Sequence, residues 1–374
     1  MSKKYAVFYS VFFGAVMLLT AILFLVLPKK SFSELEKRSL RTFPQLSYQT
    51  LSDGTFCQSA DLYLCDHFPA RDAFVGINAY SNLLLLRHSQ SGVYLAKDGY
   101  LISAPADRTK TDYTQVNLTK IREFTQQNGL DTDMMLVPST GYILEDQLLF
   151  PHKQYPDEDV FAAVKDAGIG DFIDLTVSFT SEAERPIYYK TDHHWTTYGA
   201  YLAYTQYIQQ QGMQPLSPAT FEIEEYPGFF GTTYAKAALW GMGGDVIELW
   251  KNPQQHVQVS IYDSEQANVY DDFYFYDQLN GSDKYSVFFD ENHGKVIVEN
   301  DSVESGTLLV LKDSFANALV PFLSNHYHRI VMVDMRYYGF SAVSDVVKEY
   351  DIQKMLVVYG VDTFVTDKNL LKLK

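Results

Sequence analysis

Residues 306–323 read GTLLVLKDSFANALVPFL, a short apolar run followed by Asp313-Ser314 and then by a helical pattern. Apolar runs of this length, bounded by polar residues, are typical of buried strands. A serine at a strand-to-helix turn points its hydroxyl out of the carboxyl edge of the sheet, where the sites of α/β proteins lie. Ser314 is therefore a candidate nucleophile, although a serine in this place is more often an ordinary helix N-cap.

Strands and helices alternate on both sides of this segment. Predicted strands cover residues 132–138, 171–175, 306–313, 328–334 and 354–360, and predicted helices cover residues 113–128, 315–325, 341–350 and a segment after Trp195. An Asp98-Gly99 pair between two alternating runs predicts a hairpin over residues 91–103. Short apolar strands that alternate with helices predict an α/β fold with a mostly parallel sheet, covered by helices on both faces.

One long segment, residues 216–296, interrupts this alternation. It contains Gly-Gly and Pro-Gly pairs and the Tyr- and Asp-rich sequence NVYDDFYFYDQLNGSDKY. Such a composition predicts an insertion built from loops and antiparallel strands. We therefore expect one domain over residues 51–374 that contains this insertion, preceded by a charged and weakly structured linker at residues 29–50.

The first 28 residues predict a single transmembrane anchor. Residues 5–27 form an uncharged apolar run of 23 residues, and a helix of this length spans the roughly 30 Å hydrocarbon core of a membrane. A cleavable signal peptide has a shorter apolar stretch of about 7–15 residues, followed by a small-residue cleavage site. Because long domains cross the membrane largely regardless of flanking charge, we expect the domain outside the cell.

The composition excludes several classes of partner and site. The chain has 30 basic and 46 acidic side chains, a formal net charge of −16, which repels the phosphate backbone of nucleic acids. The sequence has no Walker loop and no dinucleotide fingerprint, so we expect no cofactor. Cys57 and Cys65 are eight residues apart in a helical pattern, about 12 Å, which is too far for a disulfide.

The densest cluster of polar residues is the loop at residues 192–195, DHHW, just before a predicted helix. An aspartate two positions before a histidine can accept a hydrogen bond from imidazole Nδ1, which leaves Nε2 as a base. Three interpretations are open: a metal site of Asp192, His193 and His194, a structural hydrogen-bonded loop, or the base of a nucleophilic site. Adjacent histidines point in different directions and no further ligand cluster is apparent, so we expect no metal.

Five segments of this sequence resemble the bacterial DHHW family. They are DHHW at 192–195, KDSFAN at 312–317, DHFPARD at 66–72, KDGYL at 97–101 and VDMRYY at 333–338. The sequence is similar, more distantly, to the alginate O-acetylation proteins AlgJ and AlgX. The resemblance covers nearly the whole chain after the apolar segment, and its specific part is the pairing of Asp-x-His-Trp with Asp-Ser.

The resemblance implies an SGNH-hydrolase-like domain in a permuted order, in which the aspartate and the histidine precede the serine. It implies Ser314 as the nucleophile, His194 as the base and Asp192 as the residue that orients His194. The DHHW motif places the catalytic imidazole at His194, directly before the tryptophan, rather than at His193.

Further residues are candidates for contacts with the substrate. SGNH enzymes add a glycine and an asparagine to the oxyanion hole, for which either Asn292 with Gly294 or Asn317 are candidates. The loop before Asn292 is acidic and would oppose a developing oxyanion, so we favour the backbone amide of Ser314 over these side chains. Arg336 follows a predicted strand at the carboxyl edge of the sheet. The residues that we expect to bind substrate are Arg336, His193, Trp195, Asn292 and Asn317.

These observations lead to an expected function: a membrane-anchored, extracellular O-acetyltransferase that modifies a cell-surface or secreted polysaccharide through an acyl-serine. Acetyl-CoA is cytoplasmic, and the family resemblance implies a membrane-bound O-acyltransferase as the partner that supplies acetyl groups. Two alternatives stay open. One is a carbohydrate acetylesterase with the same three residues, and the other is a non-catalytic polysaccharide-binding or assembly factor that uses the Tyr-rich insertion.

Overall fold

The computed structural model describes residues 3–149, 151–181 and 185–374. The chain divides into two units, of which one contains Met1–Gln90 and Ala235–Gly241, and the other contains Ser91–Tyr234 and Met242–Lys374. Every residue predicted to act in the site lies in the second unit. The boundaries of anchor, linker and domain given above stay predictions.

The first unit is mainly helical. Its elements are helices α1 Lys3–Val26, α2 Tyr48–Ser52, α3 Thr55–Asp66 and α4 Arg71–Leu84, and short strands β1 Phe32–Ser33, β2 Arg38–Ser39 and β3 Ser89–Gln90. Strands β1 and β2 pair with each other in antiparallel orientation. Cys57 and Cys65 both lie on α3 as exposed, free thiols, which agrees with the helical spacing of the two residues.

Helix α1 has the length and composition of a membrane span. The mean hydropathy reaches 2.4 in the most apolar 18-residue window of Lys4–Val26, and none of that window is buried. A signal sequence near the N-terminus has the same properties. The apolar helix is therefore present as predicted, whereas membrane anchoring stays a prediction.

Ion pairs hold part of residues 29–50 against the helices that follow. Arg38 donates two hydrogen bonds to the carboxylate of Asp66 at the end of α3. These bonds hold the pKa of Asp66 at about 2. Glu36 pairs with Arg71 at the start of α4. The segment around β2 is thus tied to α3 and α4 by charge pairs.

The second unit contains the remaining elements. Its strands are β4 Val93–Leu95, β5 Leu101–Ser103, β6 Asp131–Val137, β7 Asp171–Phe172, β8 Glu222–Phe229, β9 Asp245–Lys251, β10 Val257–Tyr262, β11 Ala267–Tyr270, β12 Lys295–Asn300, β13 Thr307–Lys312, β14 Arg329–Val333 and β15 Lys354–Gly360. Its helices are α5 Thr114–Asn128, α6 Thr140–Ile143, α7 Asp157–Ala167, α8 Thr176–Ser181, α9 Thr197–Gln210, α11 Ala316–Leu323, α12 Val343–Glu349 and α13 Val361–Thr366, while α10, Thr232–Ala237, begins in this unit.

Eight of these strands form one sheet in the order β11-β10-β12-β14-β13-β15-β6-β7. The pairs from β14 to β7 are parallel. The pairs from β11 to β14 are antiparallel. The sequence predicted an α/β fold with a mostly parallel sheet; the α/β fold is confirmed, but the sheet is mixed, because β10 and β11 of the insertion extend it through β12. The permuted order of the domain stays a prediction.

Apolar clusters cover both faces of this sheet. Along β13, Leu308 and Val310 face a cluster that includes residues of α9 and α11, whereas Leu309 and Leu311 face a cluster that includes residues of α5 and α7. Successive side chains of a strand point to opposite faces, so a strand buried on both sides must be apolar throughout. This double burial explains why the central strands appear in the sequence as continuous apolar runs.

Antiparallel pairs form the hairpin and the insertion, as predicted. Strands β4 and β5 pair around Asp98 and Gly99, whose φ angles of 54° and 78° lie in the left-handed region that such turns require. Within the insertion, β8 pairs with β9, and β10 pairs with β11. Many aromatic residues of the insertion are buried in the core, among them Tyr274, Tyr285, Phe288 and Phe289.

A buried lysine ends the central strand β13. The Nζ atom of Lys312 donates hydrogen bonds to Oδ1 of Asn317 at 2.6 Å and to Oδ1 of Asn292 at 3.0 Å. The carboxylate of Asp334 lies 3.8 Å from this Nζ and is itself paired with Arg336. Burial lowers the pKa of Lys312 to about 8, since the loss of water outweighs the attraction of Asp334.

Replacing Lys312 by methionine should remove a pH-dependent part of the stability. The pKa of lysine in an unfolded chain is about 10.4. Between about pH 8 and pH 10 the unfolded wild-type chain therefore binds more protons than the folded one, and its free energy of unfolding rises with pH. The free energy of unfolding of wild type should therefore rise by about 2 kcal/mol, relative to that of Lys312→Met, between about pH 7 and about pH 9.5. Denaturant titrations of both detergent-purified proteins measure it, and an equal difference at both pH values would contradict the depressed pKa.

Candidate active site

Two loops meet at the carboxyl edge of the sheet. Ser314 follows β13 and is half-buried just before α11. The DHHW loop, residues 192–195, lies directly before α9, which begins after Thr196. The hydroxyl of Thr196 accepts a hydrogen bond from the amide of Gly199 and caps this helix.

His194 links the two loops through hydrogen bonds at both of its ring nitrogens. Its Nδ1 lies 2.6 Å from Oδ1 of Asp192, and its Nε2 lies 2.7 Å from Oγ of Ser314. Because a carboxylate accepts only, Nδ1 carries the proton and Nε2 is free to accept one from the serine hydroxyl. This geometry brings together the three residues that the sequence predicted as nucleophile, base and orienting acid.

The carboxylate of Asp192 is buried and accepts several hydrogen bonds. Besides His194 Nδ1, it accepts from the amide of His194 at 3.0 Å, the amide of Thr232 at 2.6 Å and the hydroxyl of Thr232 at 3.0 Å. Burial acts to raise the pKa of Asp192, but the imidazoles of His193 and His194 and these hydrogen bonds hold that pKa well below its usual value. Asp192 is therefore ionised and can orient His194.

Aromatic rings fix the plane of the His194 imidazole. Tyr285 is stacked on it, with ring centroids 3.9 Å apart and planes within 8°. The ring of His193 lies 3.9 Å from that of His194 at an angle of 38°, and the ring of Phe315 lies 5.0 Å away. His194 is thus held by hydrogen bonds at its two nitrogens and by packing against its ring.

A half-buried carboxylate, that of Asp245, holds the residues directly before the DHHW loop. Asp245 accepts hydrogen bonds from the amides of Lys190 and Thr191 and from the hydroxyl of Thr191. The loop also packs closely on Gly231, where an added Cβ would lie 2.2 Å from Cβ of Asp192. Any side chain at position 231 would therefore displace Asp192.

The other two residues of the DHHW loop differ in exposure. Trp195 is fully buried, and its indole donates to the carbonyl of Phe315 at 3.1 Å, which leaves no indole surface for the expected contact with substrate. Trp195 instead supports the loop that carries Ser314. The side chain of His193 is 38% exposed, and its Nδ1 lies 2.8 Å from the hydroxyl of Thr232. A contact between His193 and substrate stays a prediction.

The remaining predicted substrate contacts belong to the buried network around Lys312. Asn317 and Asn292 both accept hydrogen bonds from Lys312, and Asn317 Nδ2 lies 3.3 Å from Oδ1 of Asn292. Arg336 donates twice to the carboxylate of Asp334, at 2.9 and 2.6 Å. These side chains are already paired within the protein, and their contacts with substrate stay predictions.

Asp313 stabilises the turn in front of Ser314. Its buried carboxylate accepts from the amide of Phe315 at 3.0 Å and from the amide of Gly360 at 2.9 Å, which joins the ends of β13 and β15. Burial raises the pKa of Asp313 despite these bonds and the nearby charge of Arg336. The position of the Ser314 hydroxyl therefore depends on the neighbouring strand as well as on its own.

The donor atoms of Asp192, His193 and His194 lie within 4.8 Å of one another, as a metal site would require. Two of these residues already use their donor atoms in hydrogen bonds. His194 Nδ1 bonds Oδ1 of Asp192, and His194 Nε2 bonds Oγ of Ser314. A metal ion bound to these atoms would compete with both hydrogen bonds. The expectation that the site needs no metal stays a prediction.

Residues from the insertion complete the surroundings of the DHHW loop, and sequence reasoning did not single them out. They are Thr232, Asp245 and Tyr285. The only signal was the Tyr- and Asp-rich composition of the insertion, which does not mark individual positions. Lys312 was part of the quoted KDSFAN segment, but its burial could not be inferred from an apolar strand that ends in a lysine.

Two family models match this chain. The model described as DHHW protein matches residues 36–133 and 167–333. The model described as SGNH hydrolase-like domain, acetyltransferase AlgX, matches residues 94–228, a range that contains Asp192 and His194 but not Ser314. No curated protein matches the chain.

Several solved structures are similar to this one. A DHHW family protein from Eubacterium siraeum is 20% identical, with 76% of this chain and 96% of that chain covered and a TM-score of 0.67. Bacillus cereus PatB1 with a sulfonyl adduct is 19% identical, with 75% and 98% covered and a TM-score of 0.63. The O-acetyltransferase domain of Pseudomonas putida AlgJ is 14% identical, with 74% and 94% covered and a TM-score of 0.47. At these identities the first two similarities show a shared fold.

The match to the DHHW model extends over more than half of the chain and includes both the DHHW loop and Ser314. It confirms the resemblance that the five sequence segments indicated. The chain belongs to the DHHW protein family.

Proposed function

We propose that this protein is a serine-dependent O-acetyltransferase that transfers acetyl groups to the hydroxyl groups of a polysaccharide. The observation that carries the proposal is the hydrogen-bonded series Asp192–His194–Ser314, with contacts of 2.6 and 2.7 Å. A nucleophile in contact with a base, which is in turn oriented by a third group, is the arrangement of covalent acyl transfer.

The reaction that this geometry supports has two steps. Ser314 Oγ attacks the carbonyl carbon of an acetyl donor, its proton passes to His194 Nε2, and His194 then gives this proton to the leaving group. In the second step His194 takes the proton of a sugar hydroxyl, whose oxygen attacks the acyl-serine, and Ser314 recovers a proton as the bond to the acyl group breaks. Asp192 stabilises the imidazolium that forms in both steps.

The choice of an acetyl group and of a polysaccharide as substrates rests on the relatives rather than on the geometry of the site. The matched model names an acetyltransferase, AlgX, and the structural neighbour AlgJ is described as an O-acetyltransferase domain. Together with the resemblance to alginate O-acetylation proteins, they support an acetyl group as the transferred group and a polysaccharide as the acceptor.

The location and the partner follow from the same proposal. The apolar helix α1 would anchor the protein in the cell membrane, with the second unit outside the cell. An enzyme outside the cell needs an acetyl donor that crosses the membrane. A membrane-bound O-acyltransferase would supply it, and this partner is part of the proposal.

A carbohydrate acetylesterase is the second candidate, since water can replace the sugar hydroxyl in the second step without any change in the three residues. Incubating the purified chain with an acetyl ester, with and without a polysaccharide acceptor, separates the two. Acetyl transfer to the acceptor supports the transferase, and release of acetate alone supports the esterase. Neither reaction would be seen from a polysaccharide-binding factor.

Ser314→Ala should abolish turnover of an acetyl-ester reporter while the protein stays folded, because the Ser314 hydroxyl bonds His194 rather than capping α11, and loss of one such hydrogen bond costs only about 0.5–1.5 kcal/mol. The measurement is the release of nitrophenol from nitrophenyl acetate, with circular dichroism as a check on folding. Ser344→Ala, at a half-buried serine on α12, is the control and should keep the wild-type rate. An undiminished rate in Ser314→Ala would remove Ser314 from the mechanism.

His194→Ala should lower the rate far more than His193→Ala. A general base contributes typically about 10²–10⁴-fold, and His194 contacts both Asp192 and Ser314. His193 lies beside it, with Nδ1 2.8 Å from the hydroxyl of Thr232 and 3.4 Å from Oδ1 of Asp192. Rates of both variants with the same reporter, before and after treatment with a chelator, test this assignment. Equal losses would contradict it, and loss of wild-type activity on chelation with recovery by zinc would favour the metal interpretation.

Tyr285→Leu should lower kcat by about 10- to 100-fold with a smaller change in KM, because the imidazole would lose its stacking partner and its fixed plane. Tyr285→Phe is the matched control. It keeps the ring, and the hydroxyl that it removes has no hydrogen-bond partner in the described part of the chain. Steady-state kinetics of both variants measure the effect. Equal loss in the two variants would show that the hydroxyl, rather than the stacked ring, is what matters.

A further inference from the structure

Exposed apolar side chains are concentrated in the first unit, after α1. Of the 22 large apolar and aromatic side chains that are exposed among the described residues after position 27, 13 lie in residues 43–86 and 9 lie in the much longer remainder. Apolar surface of this extent marks a site of contact with a protein or with a membrane. The candidate active site lies in the second unit, so this surface has a different role.

The helix α3 contacts the last turns of α1. The ring of Tyr63 lies 6.1 Å from that of Phe24, with the two planes nearly perpendicular. Phe24 lies three residues before the end of the apolar run at residues 5–27, about 4.5 Å along the helix axis. The ring of Phe43, a residue that is 63% exposed, lies 5.3 Å from that of Tyr63. These aromatic rings therefore lie at the level where the apolar run ends.

Ring contacts continue this surface onto α4. Phe68, in the turn between α3 and α4, is exposed, and its ring lies 5.8 Å from that of Phe74. Phe68 also lines a cavity of about 350 Å³, together with Leu27 at the end of the apolar run and Arg71 at the start of α4. The start of α4 thus lies close to the end of the apolar run as well.

Helix α4 has two apolar sides, and they differ in what covers them. On one side Gly76 is buried, and an added Cβ there would lie 3.4 Å from the ring of Trp240. On the other side Phe74, Ile77 and Leu84 are exposed, Ile77 by 62%. Their spacing of three and seven residues places them on one face of the helix. This face is open to solvent within the part of the chain that the structure describes.

The position of this surface favours lipid as its occupant. With α1 as the membrane anchor of the proposed function, every copy of the chain brings lipid to within one ring contact of Tyr63. Tyrosine is enriched at the boundary between hydrocarbon and headgroups. Helices with an exposed apolar side lie in this boundary and bury that side roughly 5–10 Å deep. A protein partner or a second copy would have to displace this lipid to cover the same side chains.

We propose that α3 and α4 lie on the outer surface of the membrane and that a strip of their side chains contacts the lipid interface. The strip consists of Phe43, Tyr63, Phe68, Phe74, Ile77 and Leu84. The inference rests on the membrane anchor in the proposed function. It goes further by assigning the first unit a second contact with the membrane, made by surface helices rather than by the spanning helix.

The test uses the full chain, purified in detergent and reconstituted into vesicles of phosphatidylcholine alone. In a chain with Cys57→Ser and Cys65→Ser, which removes the exposed native thiols, a single cysteine from Ile77→Cys or Val177→Cys carries a fluorophore. Val177 is the matched control, since it is 63% exposed on helix α8 of the second unit. Lipid that carries a nitroxide near its headgroup should quench the fluorophore at position 77 at least about 3-fold more than the one at position 177.

Two further positions complete the experiment. Leu84→Cys repeats the measurement at the other end of the exposed face of α4 and serves where Ile77→Cys fails to fold. Leu18→Cys, within α1, reports on the anchor itself, and lipid with a nitroxide deep in its acyl chain should quench a fluorophore at this position.

The outcomes separate the inference from the proposed function. Quenching at positions 77 and 84 no stronger than at position 177, together with quenching at position 18, would overturn the inference and leave the anchor in place. Absence of quenching at position 18 would overturn the anchor itself. Self-quenching between fluorophores at position 77 that persists when the protein is diluted in lipid would assign the surface to a second copy, which also overturns the inference.

Discussion

The buried negative charge of Asp192 is the constraint on which the site depends. An ionised carboxylate taken out of water costs several kcal/mol unless it is paired and hydrogen-bonded. Asp192 meets this condition with the imidazole and amide of His194 and with the amide and hydroxyl of Thr232. These partners come from two segments that are almost 40 residues apart, so the charge is compensated only when the DHHW loop and the start of α10 are both in place.

The insertion is therefore a structural part of the site. It supplies Thr232 to the carboxylate of Asp192, Asp245 to the amides at the start of the DHHW loop and Tyr285 to the face of the His194 ring. The Tyr-rich segment, which by composition alone suits sugar rings, places Tyr285 in the core instead. Its contribution to the site is first of all to hold a base in position, and any account of substrate binding has to begin from the residues that stay exposed.

Local patterns allowed much of the fold and the candidate residues to be predicted. The double burial of strands such as β13 makes them continuous apolar runs, and the Asp-Ser turn directly after β13 marks Ser314. Strand direction could not be predicted for β12, since a short apolar run looks the same in parallel and antiparallel sheets. The roles of Tyr285 and Lys312 could not be predicted either, because each depends on a contact with a residue distant in the chain. Tyr285 stacks on His194, and Lys312 donates a hydrogen bond to Asn292.

The charges around Ser314 bear on the kind of group that the site can transfer. Phosphoryl transfer needs cations directed at the reacting oxygens, because negative charge is spread over the transferred group. Here Arg336 is engaged by both oxygens of Asp334, and Lys312 is buried and directed at Asn292 and Asn317. Neither cation is directed at the serine oxygen. An acyl group, whose transition state develops one negative charge on a single oxygen, can be stabilised by neutral donors such as amides and hydroxyls. The distribution of charge therefore favours acyl transfer over phosphoryl transfer at Ser314.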